Sequence, residues 1–184
     1  MSKILALLAA MSFSGPVFGM GLEITVKGEA NGTFHIDLFE EVAPLHVEQI
    51  TALAQAGTYN DVVFHRVIEG FMAQTGDVVH GKLGADIRRA GMGGSERPDL
   101  PAEFSDLSFE RGVVGMARSS SPNSANSQFF IMFEPGHFLN GQYTVIGEVT
   151  KGMEIVDQIK LGRGPNGSVI GDPDVMVSVE VTND

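Results

Sequence analysis

Two stretches near the N-terminus alternate apolar and polar side chains, as half-buried β-strands do. Residues 22–26 and 34–38 carry an apolar side chain at every second position. The dipeptide Asn31-Gly32 lies between them, and both residues accept the positive backbone angles of a tight hairpin turn. The pattern therefore predicts an antiparallel pair of strands at the start of the domain.

The next segment has the spacing of an amphipathic helix. Pro44 suits the first turn, apolar residues recur on one face from Val47 to Ala54, and Gly57 is placed to cap the C-terminus. A second helical pattern covers residues 153–159. The sequence thus predicts two helices.

Short β-rich segments bounded by turn residues fill most of the remaining chain. They cover residues 62–67, 71–74, 113–117, 128–132, 144–149 and 175–181. Many short strands with two helices predict a mainly β protein, a closed antiparallel barrel capped by two α-helices. Residues 82–107, with glycines and prolines among charges, predict a long surface loop.

The first residues have the order of a secretory signal peptide. Lys3 precedes an apolar run from Ile4 to Met11, and small residues follow up to Gly19. The run is too short to cross a bilayer of about 30 Å, so we expect no retained membrane span. The interpretation assigns residues 1–19 to a signal peptide and 20–184 to one domain that is periplasmic or secreted. A short buried N-terminal helix is the alternative.

Composition and charge exclude several classes of function. The chain has 184 residues, 43% of them hydrophobic, which suits one globular domain, and its formal charge of −11 without a basic cluster argues against nucleic-acid partners. It contains no cysteine, so thiol nucleophiles and thiolate metal ligands are excluded. Nothing in the sequence requires an oligomer, and we expect a monomer.

Common site motifs are missing. The five histidines lack metal-ligand spacing, and no serine lies in a nucleophile elbow. Gly91-Met92-Gly93-Gly94 has neither the preceding strand nor the following helix of a dinucleotide site. Asn31-Gly32-Thr33 and Asn166-Gly167-Ser168 match glycosylation acceptors and are interpreted as plain turns. The sequence therefore predicts no metal site, no serine nucleophile and no dinucleotide site.

Two longer motifs remain. Residues 64–74 read Phe-His-Arg-Val-Ile-Glu-Gly-Phe-Met-Ala-Gln, residues 127–131 read Ser-Gln-Phe-Phe-Ile, and Phe138-Leu139 follows. These segments resemble the cyclophilin family, and the resemblance extends from about Leu22 to the C-terminus. It implies an eight-stranded barrel closed by two helices, isomerase activity toward X-Pro bonds in unfolded or flexible polypeptides, and no cofactor.

The resemblance also implies a role for each matching residue. Arg66 matches the catalytic arginine, and Gln74 matches the glutamine that braces it. The walls of the proline pocket match Phe71, Met72, Phe130 and Leu139. The other substrate-binding positions match His65, Ala117, Arg118, Gln128, Phe138 and Tyr143. Ala117 and Gln128 line the groove for the side chain before proline, and Arg118 matches a backbone contact. His65 has a second interpretation, as a hydrogen-bonded structural histidine.

Two positions depart from residues common in the family. Phe138 stands where many members have a tryptophan that bonds cyclosporin, and a phenyl ring has no such donor, so we expect weak cyclosporin sensitivity. Tyr143 replaces a histidine common at the pocket rim, and its hydroxyl is expected to alter substrate preference.

An arginine suits this reaction because its permanently charged guanidinium offers several donors in a fixed fork. Rotation about an X-Pro bond needs neither a nucleophile nor a proton transfer. Two other functions stay open: a non-catalytic module or chaperone that holds proline-containing segments, and a barrel that carries a small apolar ligand. The 12 Phe and 9 Met predict a filled interior, which argues against the carrier.

Overall fold

Nine strands and two helices form the structure, a computed structural model that describes residues 19–183. The strands are β1 (Met20–Lys27), β2 (Gly32–Leu38), β3 (Val62–Val63), β4 (Arg66–Ile68), β5 (Met72–Thr75), β6 (Val113–Met116), β7 (Phe129–Met132), β8 (Val145–Lys151) and β9 (Val175–Asn183). The helices are α1 (Pro44–Gln55) and α2 (Met153–Val156). The predicted signal peptide lies outside the described residues except for Gly19. Across residues 19–183, no helix has both the length and the apolar character needed to span a bilayer.

All nine strands belong to one antiparallel sheet. Their order is β3-β9-β1-β2-β8-β6-β7-β5-β4, and the sheet curls into a half-barrel. The predicted closed, eight-stranded barrel is therefore wrong. The predicted strand over residues 62–67 divides at Phe64-His65, so β3 pairs with β9 at one edge and β4 pairs with β5 at the other. The N–H groups of Phe64 and His65 bond the carbonyls of Asp174 and Gln74, at 2.9 and 3.2 Å, instead of extending a ladder.

The predicted first hairpin is present, with a longer turn than expected. Val26 pairs with Gly32, so residues 28–31 form the turn. The buried carboxylate of Asp174 organises this turn, since its Oδ1 accepts the N–H of Ala30 at 2.8 Å. Gly28 has a φ of 151°, and a Cβ there would overlap the Asp174 carboxylate. A long-range contact therefore sets the turn, and local turn preference does not.

Helix α1 is capped by a residue distant in sequence. Its N-cap side chain, Ala43, makes no hydrogen bond, and the Glu103 carboxylate instead accepts the N–H groups of Leu45 and His46 at 3.2 and 3.1 Å. At the other end Gly57, with a φ of 66°, forms the predicted cap. The second predicted helix is only the single turn of α2.

The strands at one end of the sheet bury both of their faces. Phe129 and Ile131 of β7 belong to the main core, which also contains the buried face of α1. Phe130 and Met132 belong to a second, smaller apolar cluster on the opposite, outer face. Every residue of β7 is therefore buried, although the strand has only one interior face. The outer cluster supports the candidate site.

Candidate active site

An apolar cavity of about 230 Å³ opens above the outer cluster. Met72, Phe130 and Leu139 form its floor and are more than nine-tenths buried. Phe71 and Phe138 pack at its rim with ring centroids 5.5 Å apart, and Phe138 is 67% exposed. The other lining residues are Arg66, Gln74, Ala117, Arg118 and Tyr143. The structure thus brings together every predicted site residue except His65 and Gln128.

Strand register places four of the site positions in one row. Arg66 lies opposite Gln74, Gln74 opposite Phe130, and Phe130 opposite Gly115. Residues paired in this way point to the same face of a sheet. A Cβ on Gly115 would lie 2.6 Å from the rings of Phe109 and Phe130, so glycine is needed for Phe130 to lie along the cavity floor.

The guanidinium of Arg66 is fixed on three sides by neutral acceptors. Its Nη1 donates to Gln74 Oε1 at 3.1 Å, and the Met72 sulfur lies 3.8 Å from the same nitrogen. Its Nε donates to the carbonyl of Asn166 at 3.0 Å, and its Nη2 donates to the side-chain oxygen of Asn166 at 3.2 Å. The side chain is therefore held at the cavity edge in one orientation.

The charge of Arg66 is not paired by a carboxylate in the described part of the chain. Partial burial lowers its pKa, and Tyr143 acts in the opposite direction. An arginine nevertheless stays protonated in a protein. All of its oxygen partners are neutral, so the full positive charge is available to a group in the cavity.

Two glutamines connect Arg66 to the loop beside the cavity. Gln74 Nε2 donates to Gln128 Oε1 at 3.0 Å, and Gln128 Nε2 donates to the carbonyl of Gly93 at 2.7 Å. These hydrogen bonds turn the side-chain oxygen of Gln74 toward Arg66. Gln128 does not line the apolar cavity, but it orients Gln74, which does.

The loop that carries Gly91 and Gly93 is held by Asp77, a fully buried carboxylate. Its Oδ1 accepts the N–H groups of Val79 and His80 at 3.0 and 2.8 Å, and its Oδ2 accepts those of Gly91 and Gly93 at 2.8 and 2.9 Å. Burial raises the pKa of Asp77, but the four donors outweigh burial and lower the pKa overall. An ionised Asp77 thus fixes one wall of the neighbouring groove.

That groove is a second, polar cavity of about 380 Å³. It shares Gln74, Ala117 and Arg118 with the apolar cavity, so the two cavities adjoin. Gln128 also lines this groove, together with small and polar residues of the loop. An extended peptide could place an apolar ring in the first cavity and its neighbouring residues in the second.

His65 lies outside the apolar cavity. It is 8% exposed and lines a separate cavity of about 320 Å³ that also contacts Arg66 and Asn166. Neither ring nitrogen has a hydrogen-bond partner among the described residues. Burial lowers its pKa to about 4 against the opposing effect of Asp77, so the ring is neutral at pH 7. Its substrate-binding role stays a prediction. The alternative was a hydrogen-bonded structural histidine, and the ring is buried as that alternative requires but lacks the hydrogen bonds.

Asn166 is a site residue that the sequence analysis interpreted as a plain turn. It adopts a left-handed conformation with a φ of 55°, which directs both of its oxygens to Arg66. The Asn-Gly dipeptide does indicate such a conformation. The contact itself joins positions 100 residues apart and has no local signal.

These features define a site with an apolar cavity, one fixed cationic donor at its edge and an adjoining polar groove. The family model of cyclophilin type peptidyl-prolyl cis-trans isomerase/CLD matches residues 22–181. A probable peptidyl-prolyl cis-trans isomerase of Brucella suis biovar 1 is 54% identical over 156 residues, which cover 84% of this chain and 80% of that protein. A peptidyl-prolyl cis-trans isomerase-like 1 of Emericella nidulans is 37% identical over 136 residues, covering 73% and 80%. The chain belongs to the cyclophilin-type peptidyl-prolyl cis-trans isomerase family and is an enzyme of that class.

Solved structures agree with this family. A crystal structure of a Cryptosporidium parvum cyclophilin type peptidyl-prolyl cis-trans isomerase has a TM-score of 0.76 at 25% identity and covers 91% of this chain and 99% of its own. A crystal structure of that isomerase in the presence of the dipeptide Ala-Pro has a TM-score of 0.73 at 25% identity, covering 89% and 99%. The predicted cyclophilin fold is confirmed, with the number and closure of the strands corrected as described above.

Proposed function

We propose that this isomerase accelerates rotation about X-Pro bonds in exported polypeptides during their folding, through a transition-state hydrogen bond from Arg66. The observation that carries the proposal is the unpaired guanidinium fixed at the edge of the apolar cavity. The Ala-Pro dipeptide named with the similar isomerase supports a proline-containing ligand.

The chemistry of the bond explains why a hydrogen-bond donor suffices. Conjugation between nitrogen and carbonyl gives a rotation barrier of about 18–20 kcal/mol. In the twisted transition state conjugation is lost, and the prolyl nitrogen becomes a better hydrogen-bond acceptor than in either ground state. A donor placed at that nitrogen therefore stabilises the transition state selectively.

Arg66 has donor capacity left for this bond. A guanidinium carries five N–H groups. Three of them are donated to oxygens of Gln74 and Asn166, and a fourth is donated to the Met72 sulfur at 3.8 Å. One N–H on Nη2 stays available, and the sulfur is a weak acceptor that a substrate atom can replace. A 10⁵-fold acceleration needs a barrier lower by about 7 kcal/mol, which one fixed, charged donor in a partly dehydrated site contributes in large part.

The apolar cavity supplies the second requirement, a hold on the proline ring while the acyl side rotates. A pyrrolidine ring has no polar group, so it must be recognised by shape and burial. Met72, Phe130 and Leu139 present such a surface without a polar atom that would need a partner. The ring is expected to bind there with its nitrogen toward Arg66.

Activity is tested with the domain that begins at Met20 and its Arg66→Ala and Arg66→Lys variants. We expect both variants to lower kcat/KM in a proline-limited refolding assay, Arg66→Ala by about 10²–10³-fold. Arg88→Ala, which removes an exposed arginine paired with Asp86, is the matched control. Equal rates for the wild type and Arg66→Ala would remove Arg66 from the mechanism. Peptide binding without rate enhancement by the wild type would favour a non-catalytic binding module.

Export is tested separately, because it rests on residues 1–19 of the sequence. We expect the full chain, expressed in a bacterium, to reach the periplasm and to begin after about Gly19. Mass spectrometry of the N-terminus in each cell fraction measures both properties. An intact N-terminus in the cytoplasmic fraction would contradict export without bearing on the isomerase reaction.

A further inference from the structure

We infer that Arg118 is a specificity-determining residue that favours substrates with an acidic residue directly before the proline. The inference rests on the proposed function and names a substrate class for the same site. It concerns the side chain of Arg118, whereas the family resemblance implied only a backbone contact at this position.

The guanidinium of Arg118 is immobilised at the mouth of the site. Its Nε and Nη2 donate to the carbonyl of Gln142 at 3.3 and 2.9 Å, and its Nη1 donates to the carbonyl of Ser119 at 3.0 Å. Its Cζ lies 4.4 Å from the ring centroid of Tyr143, in a cation–π contact. A carboxylate that binds Arg118 would therefore meet a side chain that is already ordered.

The charge of Arg118 has no acidic partner in the region that the structure describes. All of its acceptors are backbone carbonyls, and the ion pairs of the other arginines do not involve it. Arg118 and Arg66 are the two arginines that line the apolar cavity, and among the described residues neither is paired with a carboxylate. Such a group attracts an anionic ligand.

The position of Arg118 identifies which substrate residue it would read. Arg118 lines both cavities, and with Ala117 and Gln74 it forms the wall that they share. The family resemblance implies that the residue before the proline lies in the groove lined by Ala117 and Gln128, so a peptide with its proline in the apolar cavity would cross this wall with that residue. The groove beyond the wall contains the carboxylate of Asp99, which accepts from Asn126 at 3.0 Å. The acidic preference is therefore expected directly before the proline and not further along the groove.

The size of the effect follows from ion pairs at partly exposed sites. Such pairs change an equilibrium by about two- to fivefold, and added salt weakens them. We expect kcat/KM for a Glu-Pro peptide to exceed that for the matched Gln-Pro peptide by this factor at low salt, and a Lys-Pro peptide to be the poorest of the three.

The test measures kcat/KM for the three peptides with the wild type and with Arg118→Gln, Arg118→Lys and Arg118→Glu. The Glu-Pro to Gln-Pro ratio should fall to about one in Arg118→Gln, stay above one in Arg118→Lys, and fall below one in Arg118→Glu. Arg88→Gln makes the same change in net charge at an exposed position outside both cavities and should leave the ratio as in the wild type.

Each result bears on a different claim. A wild-type ratio of one, or a ratio that Arg118→Gln leaves unchanged, overturns the role of Arg118, and in the second case Arg66 becomes the source of the preference. Failure of the wild type to turn over any of the three peptides refutes the proposed function instead. If circular dichroism shows that one Arg118 variant is unfolded, the remaining Arg118 variants decide, and the wild-type ratio at low and high salt shows whether the preference is ionic.

Discussion

Phe129 and Phe130 are neighbours on β7, chemically identical and almost equally buried, at 1% and 5% exposed. Phe129 points into the main core, where its ring meets the edge of Tyr59 with centroids 5.8 Å apart. Phe130 points to the outer face, where it stacks on Phe109 at 5.7 Å and meets Tyr143 at 5.9 Å. The surroundings of the two rings differ, while their own properties do not.

The main core is closed by the protein's own side chains, among them the fully buried Phe34, Phe64 and Tyr59. The outer cluster is left open above Phe130, and a charged group stands at the opening. An apolar surface serves as core where the chain covers it completely and as a binding site where the chain leaves space for a ligand. Burial of a residue therefore does not distinguish the two roles.

The largest expected effect comes from truncating each ring. Phe129→Ala should lower the free energy of unfolding by about 3–5 kcal/mol through the cavity that it leaves, with little change in kcat/KM of the folded enzyme. Phe130→Ala should cost less stability, since its space joins an open cavity, but should lower kcat/KM by about tenfold or more. Urea unfolding and a peptide isomerisation assay measure the two quantities. If both variants lost the same free energy of unfolding and the same kcat/KM, the two faces of β7 would not differ in role.

Acid should destabilise the protein through the buried ring of His65. Its folded pKa of about 4 lies below its ordinary value, so the unfolded state binds more protons at pH values between the two. The free energy of unfolding should therefore decrease from about pH 6.5 toward pH 4, by about 3 kcal/mol in total. Denaturant unfolding of the wild type and His65→Gln at pH 7 and 4.5 measures this dependence.

His65→Gln should show a weaker pH dependence than the wild type over this range. His137→Gln is the control, because His137 is exposed and paired with Glu110 on the surface. If the pH dependence of His65→Gln matches that of the wild type, another group titrates and the burial of His65 does not carry the effect.

The smallest expected effect concerns Asn166. Asn166→Ala removes one hydrogen bond to Arg66 and disfavours the left-handed backbone, so kcat/KM should fall by about two- to tenfold. Asn166→Gly keeps the backbone conformation and the carbonyl acceptor, so it should lose less. The kinetic assay compares kcat/KM of the two variants under conditions in which both are equally folded. A larger loss in Asn166→Gly than in Asn166→Ala would contradict the role of the backbone.

Local patterns predicted most of the elements of the fold. The alternation at residues 22–26 and 34–38, the helix that begins at Pro44, and the C-terminal cap at Gly57 are all present. The segment over residues 62–67 was predicted as one strand, because alternation does not reveal that Phe64 and His65 bond to different parts of the sheet. That division places β3 and β4 at opposite edges of the sheet.

The same limit applies to the site. The sequence motifs and their family resemblance identified Arg66, Gln74 and Phe130, because these residues lie within two continuous segments. They did not mark Asn166 or the unpaired charge of Arg118, because both depend on contacts between segments far apart in the chain.

The sequence by itself determined most of the segments that become strands and helices, and which residue types are available for chemistry, because hydrophobic period and turn chemistry are local properties. Only the tertiary structure decided which buried phenylalanine faces a cavity, which oxygens hold Arg66, and which arginines line the cavity without an acidic partner. These properties depend on what the rest of the chain leaves uncovered, and no local pattern records that.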